Sequence, residues 1–356
     1  DLQIYQSNPQ AKKLLQQVLG KQAKNLITQF ETDVERLVYV VDYNRAEIEV
    51  SLDRGEIRHD DQTLAIYEIE FELKQGSIQD LIKFIQPWVK QYHLWLDVRS
   101  KAQRGNLLAQ GLKIAPAQFA SPLQLKQKDS TDCALKQIVN NALQLLLPNA
   151  TAIAAEQYNS EHVHQTRVAI RRLRSALRAF GDWSTDADPE WQEQLRTLFR
   201  QLGSTRDRDA LSEGLLPQLQ QAGAPFVQLP DATEDNSIPI EESLRSLESV
   251  NLILALLQFV HQPCATKQKT QLKKDIAKKL QKLHQQICKD ADHFLELDIE
   301  LQHRTRKRVK RLRYCIEFIA SLYPGKDVKN YLKDLKPAQE SLGQFNDLNV
   351  AEAMFQ

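Results

Sequence analysis

Hydrophobic and polar positions change their rhythm near residue 115 of the chain. Before it, Val38–Val41, Ala46–Leu52 and Ile66–Leu73 alternate with a period of two or are dense in β-branched and aromatic residues. Successive strand side chains point to opposite faces, so these runs predict half-buried strands. Asp53-Arg54-Gly55 and Lys74-Gln75-Gly76 carry turn chemistry and predict chain reversals. Two stretches in the same region recur every three or four residues instead. Pro9–Phe30 puts Leu14, Leu15, Val18 and Leu19 on one face, and Ser77–Tyr92 does so with Leu81, Ile82, Ile85 and Val89. Both predict helices, which makes the N-terminal part α+β.

Pro116 and Pro122 mark a linker. Beyond it nearly every segment has helical spacing: Leu135–Leu147, His162–Phe180, Trp191–Leu202, Leu244–His261, Gln271–Ile299, His303–Tyr323 and Val328–Leu342. Gly223–Pro239, with its prolines and acids, predicts an exposed loop. The expected organisation is an α+β part over residues 1–112, a linker over 113–128 and an all-α part over 129–356.

An internal repeat runs through the helical part. His164-Gln-Thr-Arg167-Val-Ala-Ile-Arg171-Arg172-Leu-Arg174 matches His303-Arg-Thr-Arg306-Lys-Arg-Val-Lys310-Arg311-Leu-Arg313 at the same offsets. Further on, Leu202-Gly203-Ser-Thr-Arg206-Asp207-Arg-Asp209 matches Leu342-Gly343-Gln-Phe-Asn346-Asp347-Leu-Asn349. At about 100° per residue, His164, Arg167, Arg171, Arg174 and Arg178 fall within about 80° of one another. Ile170, Leu173, Leu177 and Phe180 lie opposite and face a core, and Arg172 lies outside the stripe. His303, Arg306, Lys310 and Arg313 repeat the stripe, with Val309, Leu312, Ile316 and Ile319 behind it.

Charge sharpens this picture. The chain has 47 Lys+Arg against 46 Asp+Glu, a net charge of +1. That balance argues against a uniformly basic polyanion binder, yet no acid interrupts either stripe. Surface faces of helices usually mix signs, and like charges one turn apart repel. A bound polyanion would relieve that repulsion, with Arg forks and Lys point charges meeting phosphate oxygens. Nucleic acid is the less favoured polyanion, because no aromatic platform or recognition-helix motif accompanies the stripes. No apolar run reaches the roughly 20 residues of a membrane span, and Asp1–Gln10 lacks the pattern of a secretion signal. Cys133, Cys264, Cys288 and Cys315 are scattered, which predicts free thiols in a reducing cytosol.

The two repeated tokens resemble the CHAD family, the conserved-histidine α-helical domain, over about Asp129–Gln356. The resemblance implies two four-helix bundles related by a pseudo-twofold, with basic stripes lining a shared groove or pore. It implies binding of inorganic polyphosphate, with no cofactor, and association with polyphosphate granules in the cytoplasm. The implied ligand residues are His164, Arg167, Arg171, Arg174 and Arg178 from one half, and His303, Arg306, Lys310, Arg311 and Arg313 from the other. Arg206, Asp207, Asp209, Asp347 and Asn349 are expected to brace the basic helices by ion pairs.

Glu68, Glu70 and Glu72 share one strand face, and Glu47 and Glu49 share another. Such a row reads either as a solvated edge or as a carboxylate cluster for a divalent ion. Four tokens occur in order: Phe30-x-Thr32-Asp33-x-x-Arg36, Ile48-Glu49-Val-Ser-Leu-Asp53-x-Gly55-Glu56, Glu68-Ile-Glu70-Phe-Glu72-Leu-x-x-Gly76 and Ser100-Lys101-Ala-x-Arg104-Gly105. Together they resemble the later half of a CYTH domain, the triphosphate tunnel fold, over about Leu26–Gln110. The resemblance implies an antiparallel tunnel-barrel half with helices. Arg36, Lys101 and Arg104 are the implied phosphate ligands, with Arg36 and Lys101 in the catalytic set. Glu49, Glu68 and Glu70 are the implied carboxylates for Mg²⁺ or Mn²⁺, and triphosphate is the implied substrate. Nothing before Leu26 supplies the family's Glu-x-Glu-x-Lys strand, so residues 1–112 are expected to form a partial tunnel, its front half either lacking or encoded upstream of Asp1, and triphosphatase activity is expected only with that upstream half.

Overall fold

The computed structural model describes residues 8–25, 27–203, 216–223, 238–265 and 272–355. The predicted loop Gly223–Pro239 falls largely outside them, as do Arg206, Asp207 and Asp209. Helix α1 spans Pro9–Leu19, with Asn8 as its N-cap and proline in its first turn. It stops before the predicted Phe30 because Gly20 turns to φ 51°, and a short 3₁₀ segment follows.

Three strands follow as an antiparallel meander in the order β1-β2-β3: β1 Glu31–Tyr43, β2 Ala46–His59 and β3 Gln62–Gln75. Each is longer than its apolar core in the sequence. The reversals fall at Asn44 (φ 55°) and Asp60 (φ 47°), where short polar side chains tolerate the left-handed region. Asp53-Arg54-Gly55, predicted as a turn, lies inside β2 instead. Gly55 is there for closeness to its neighbour: a Cβ on it would lie 2.0 Å from the Asp33 carbonyl oxygen of β1. Gly76, at φ 108°, does end β3 as expected.

Helices α2 (Ile78–Tyr92) and α3 (Lys101–Ala109) come next, capped by Ser77 and Ser100. Then come α4 Thr131–Ala154, α5 Ser160–Phe180, α6 Trp191–Gln201, α7 Leu216–Gln221, α8 Ile240–Arg245 and α9 Leu247–His261. The last three are α10 Leu272–Asp292, α11 Ile299–Ile319 and α12 Gly325–Phe355.

The chain forms two compact units. The first holds Asp1–Val41, Glu49–Glu72 and Arg99–Lys113, and so most of the sheet with α3. Val50, Ile57 and Ile66 are buried in it. Gly105 lets α3 lie on the Phe30 ring, which a Cβ would meet at 2.3 Å. The second unit holds Asp42–Ile48, Leu73–Val98 and Ile114–Gln356. By packing, α2 belongs to this helical unit, since Ile82 and Val89 are buried with Val250 and Leu254 of α9.

The core of the helical unit is built on α4. Its Leu135, Ile138, Val139, Ala142, Leu146 and Ile153 are fully buried against Ile170, Leu173 and Phe180 of α5. Each large apolar side chain buried this way contributes about 1.5–3 kcal/mol. Helices α6 and α9 close the same core through Leu195, Leu198, Leu256 and Phe259. A smaller core joins α10, α11 and α12 through Leu283, Leu312 and Ile316, with Val328, Leu332 and Leu335 against them. Of the second repeat's expected four helices, three long ones are present among the described residues. No helix among them is long and apolar enough to cross a membrane.

The cysteine expectation is corrected. Cys133 and Cys264 form a disulfide between the first turn of α4 and the segment after α9. Their partnership is set by tertiary packing. Lys136 Nζ donates to the Pro263 carbonyl at 3.1 Å, and Asp132 accepts from the Ala265 N–H at 2.9 Å, so the flanking residues bring the thiols together. Cys288 and Cys315 are free.

Candidate functional site

The predicted basic helices are α5 and α11, and they pack against each other. Their apolar faces are buried as the wheel required: Ile170, Leu173, Leu177 and Phe180 on α5, and Val309, Leu312, Ile316 and Ile319 on α11. This burial fixes the rotation of both helices and turns the two stripes toward each other. The charges of Arg306 and Arg171 both bear on Lys310, one from each helix. Arg311 likewise feels Arg178 and Arg174 across the same contact.

Crowding of like charge shows in the titration of the site. Burial first, then Arg306 and Arg171, pushes the Lys310 ammonium down to about 7, while Asp347 of α12 partly offsets them. Arg311 is pulled down to about 10, mainly by burial. Burial also lowers His303, helped by Lys307 and Arg306, and a hydrogen bond with Asn346 opposes this. Arg174 is lowered by burial and then by Arg196 and Arg178. The buried Nε groups of Arg171 and Arg174 have no hydrogen-bond partner among the described residues. A buried donor without a partner costs free energy unless a ligand or water meets it.

The individual stripe residues differ in their surroundings. Arg167 is buried, donates to the Leu202 and Gly203 carbonyls at 3.2 and 3.0 Å, and lies 4.7 Å from the Phe199 ring. It thus satisfies carbonyls at the end of α6. Arg171 lies 5.8 Å from the same ring. His164 is half-buried on α5, and Arg178 is exposed near its end. Arg313 bonds Glu317 at 2.9 Å and Gln339 at 3.2 Å. Arg172, outside the stripe, is buried and reaches Glu317 of α11 at 2.6 Å and Asn141 of α4 at 3.3 Å.

Three cations escaped the sequence reading. Lys307 sits about 40° from His303 on the wheel, a position that could have found it. Arg196 and Arg200 are on α6, outside both tokens, and no local signal ties them to α5.

The strand unit gathers the other predicted cluster. Arg36 of β1 clamps Asp53 of β2 with two bonds of 2.6 Å, and it also reaches Glu70 of β3 at 2.8 Å. Lys101, at the start of α3, contacts Asp53 at 2.5 Å and Glu70 at 2.7 Å, and it bonds Glu68. Arg104 of α3 bonds Glu68 as well. Arg36 first, then Lys101, holds the buried Asp53 carboxyl below the usual carboxylate range. Lys101 lowers Glu70 in the same way. Burial works against the charged Lys101, but Asp53, Glu68 and Glu70 together raise it.

Asp53, Glu68 and Glu70 are the carboxylates among the described residues whose oxygens come close enough to share one ion, within 4.8 Å. Glu68 and Glu70 were expected in such a set, while Asp53 stands where Glu49 was expected. Glu49 instead accepts from Ser51 at 3.5 Å. Hard oxygen donors of this kind match Mg²⁺ or Mn²⁺. The Lys101 ammonium touches all three carboxylates, so it and an ion would compete for one place.

Fold and site together define an α-helical domain with an internal repeat whose basic helices face each other. Residues 137–356, more than half of the chain, match the CHAD domain family, and the chain belongs to that family. The crystal structure of the CHAD domain from the plant Ricinus communis is similar, with a TM-score of 0.53 and 29% identity over 66% of this chain and 81% of that one. The inorganic triphosphatase of Haemophilus influenzae (strain ATCC 51907 / DSM 11121 / KW20 / Rd) is 39% identical over 79 residues, 22% of each protein. The chain thus matches about a fifth of that curated relative's length.

Proposed function

We propose that the helical unit binds inorganic polyphosphate between the basic faces of α5 and α11. The observation that carries this reading is the cluster of Arg171, Arg174, Arg306, Lys310 and Arg311, with the buried Nε donors of Arg171 and Arg174 left for an anion to meet. An anion there replaces repulsion with attraction, and buried charge pairs are strong because water screens them little. The two halves act as related bundles around one groove, and the bound polymer places the protein at cytoplasmic polyphosphate granules. Binding should weaken linearly on a log–log plot of affinity against salt, by the counterion-release logic of nucleic acids. Competition of long-chain polyphosphate with duplex DNA at one ionic strength tests the assignment. Polyphosphate is expected to displace DNA, and the reverse order would overturn it.

A second reading concerns the strand unit, as the later half of a CYTH tunnel acting on triphosphate. It is supported by the Arg36–Asp53–Lys101–Glu68–Glu70–Arg104 cluster and the likeness to a stretch of a triphosphatase. Arg36, Lys101 and Arg104 would turn from their carboxylates to the phosphate oxygens. Asp53, Glu68 and Glu70 would hold Mg²⁺ or Mn²⁺, which supplies charge neutralisation for phosphoryl transfer. Phosphate release from tripolyphosphate with Mn²⁺ is expected to fall at least about 100-fold in Glu68→Gln/Glu70→Gln, a loss typical of removing charge stabilisation at a reacting centre. Equal rates in the variant and the native protein would remove this site.

A further inference from the structure

The basic surface does not end at the two repeated stripes. Arg174 of α5 feels the positive charges of Arg178, Arg196 and Arg200, with Glu193 as the acid that offsets them. From α11, Lys307 meets the charges of Arg174, Arg196, Arg306 and Arg178. Helix α5 packs against both α6 and α11, which brings together five cations from three helices: Arg174 and Arg178 on α5, Arg196 and Arg200 on α6, and Lys307 on α11. Arg196 and Arg200 stand one turn apart on the exposed side of α6, whose Leu195 and Leu198 are buried. Glu193, the acid in reach, pairs with Arg196 at 3.1 Å, an exposed contact worth little in water.

This second cluster lies beside the one around Lys310, and Arg306 faces both lysines. The corresponding helix of the second repeat differs. Arg196 and Arg200 match Lys336 and Glu340, which pair with each other at 3.5 Å, so that side offers no uncompensated charge at these positions. The two halves thus present unequal ends to a polyanion.

Resting on the polyphosphate reading above, we propose that Arg196, Arg200 and Lys307 form a second contact zone. A long polyphosphate chain leaves the α5–α11 groove over this zone, onto the exposed face of α6, and a short phosphate chain occupies the groove alone. The zone makes the protein selective for chain length and gives the bound polymer a preferred exit on the first-repeat side. Arg suits this role because its fork meets successive phosphate oxygens, and exposed cations along an exit contribute through counterion release.

The test compares Arg196→Ala/Arg200→Ala with the native protein, using long-chain polyphosphate and tripolyphosphate as separate probes. The preference for the long chain over tripolyphosphate is expected to fall about tenfold. The log–log salt slope for the long chain should become shallower by about one to two, one counterion per lost contact. Glu193→Gln, which removes the acid of the cluster and leaves the helix face otherwise intact, is expected to tighten long-chain binding several-fold. An unchanged preference and salt slope in Arg196→Ala/Arg200→Ala, while a variant of the groove residues loses binding, would overturn the exit and leave the groove standing. A native protein that binds neither probe would overturn both.

Discussion

Replacing Arg171, Arg174 and Lys310 together by alanine is expected to weaken long-chain polyphosphate binding by at least about 100-fold. Each lost charge-assisted contact is worth about 1.5 kcal/mol at the low end, and three such losses, short of full additivity, exceed the roughly 2.7 kcal/mol that makes a factor of 100. The same variant is expected to unfold at no lower temperature than the native protein. The three cations it removes repel one another in the native protein, and the lost contact of Arg171 with the Phe199 ring is worth about 0.5–1 kcal/mol. Calorimetric titration and thermal unfolding of one preparation check both halves. Retained affinity would remove the groove from the function, and a collapse in stability would show these residues to be structural.

Lys310 adds a pH signature to this result. Its free ammonium titrates near 7, and a bound polyanion raises that value by favouring the charged form. Binding therefore takes up a proton above pH 7. Affinity is greatest below 7 and falls by up to about tenfold per unit as pH rises from 7, until the bound-state value is reached. Lys310→Arg keeps the charge at every pH and is expected to flatten this slope between pH 7 and 8. An unchanged slope in that variant would exclude Lys310 as its source. His303, lowered from 6.5, acts at lower pH and stays in place as an internal comparison.

Arg172→Ala is expected to destabilise the helical unit by about 3–5 kcal/mol, the usual effect of removing one partner from a buried ion pair. Arg172 is 4% exposed, bonds Glu317 at 2.6 Å and lies 4.8 Å from the Phe318 ring. The deletion leaves a cavity, an Asn141 side-chain Oδ1 without this donor and a Glu317 that keeps its bond from Arg313. Asn141 also donates to the Ser121 carbonyl at 3.1 Å, so the same network pins the linker segment onto α4. Urea denaturation of Arg172→Ala, Glu317→Gln and the double variant measures the pair directly. A coupling above about 1 kcal/mol is expected for groups in contact, and a coupling near zero would reduce Arg172 to a packing residue.

The basic stripes were legible because they are local. Residues at three- and four-residue spacing share a helix face whatever surrounds them, so His164 to Arg178 and His303 to Arg313 could be placed on α5 and α11 from the letters alone. The periodic apolar residues also set which face turns inward, and Ile170, Leu173, Leu312 and Ile316 are buried accordingly. The strands were legible as elements, and Gly76 ends β3 where a turn was expected, but the other predicted reversal was misplaced. Asp53-Arg54-Gly55 has the letters of a turn, yet Gly55 is required by the close approach of Asp33 on the neighbouring strand. Gly105 shows the same effect against the Phe30 ring. A glycine that makes room for a distant backbone or ring leaves no local mark distinguishing it from one that bends the chain.

By itself, the sequence determined the helical class of residues 129–356, their internal repeat, the two basic stripes and the membership of Glu68 and Glu70 in one carboxylate row. The repeat follows from tokens matched at the same offsets, and the rest from side-chain periodicity along a single element. The tertiary structure decided which cations share a field: Lys310 with Arg171, and Lys307 with Arg174 and Arg196. It brought Asp53 to the carboxylates, Arg172 to Glu317 and Cys133 to Cys264. Those pairings join residues on different elements, and the Cys133–Cys264 bridge spans 131 residues. They are fixed only when buried apolar faces set the rotation and register of each element against its neighbours. The near-neutral net charge gave no sign of them, because it sums over positions that packing sorts into acidic and basic neighbourhoods.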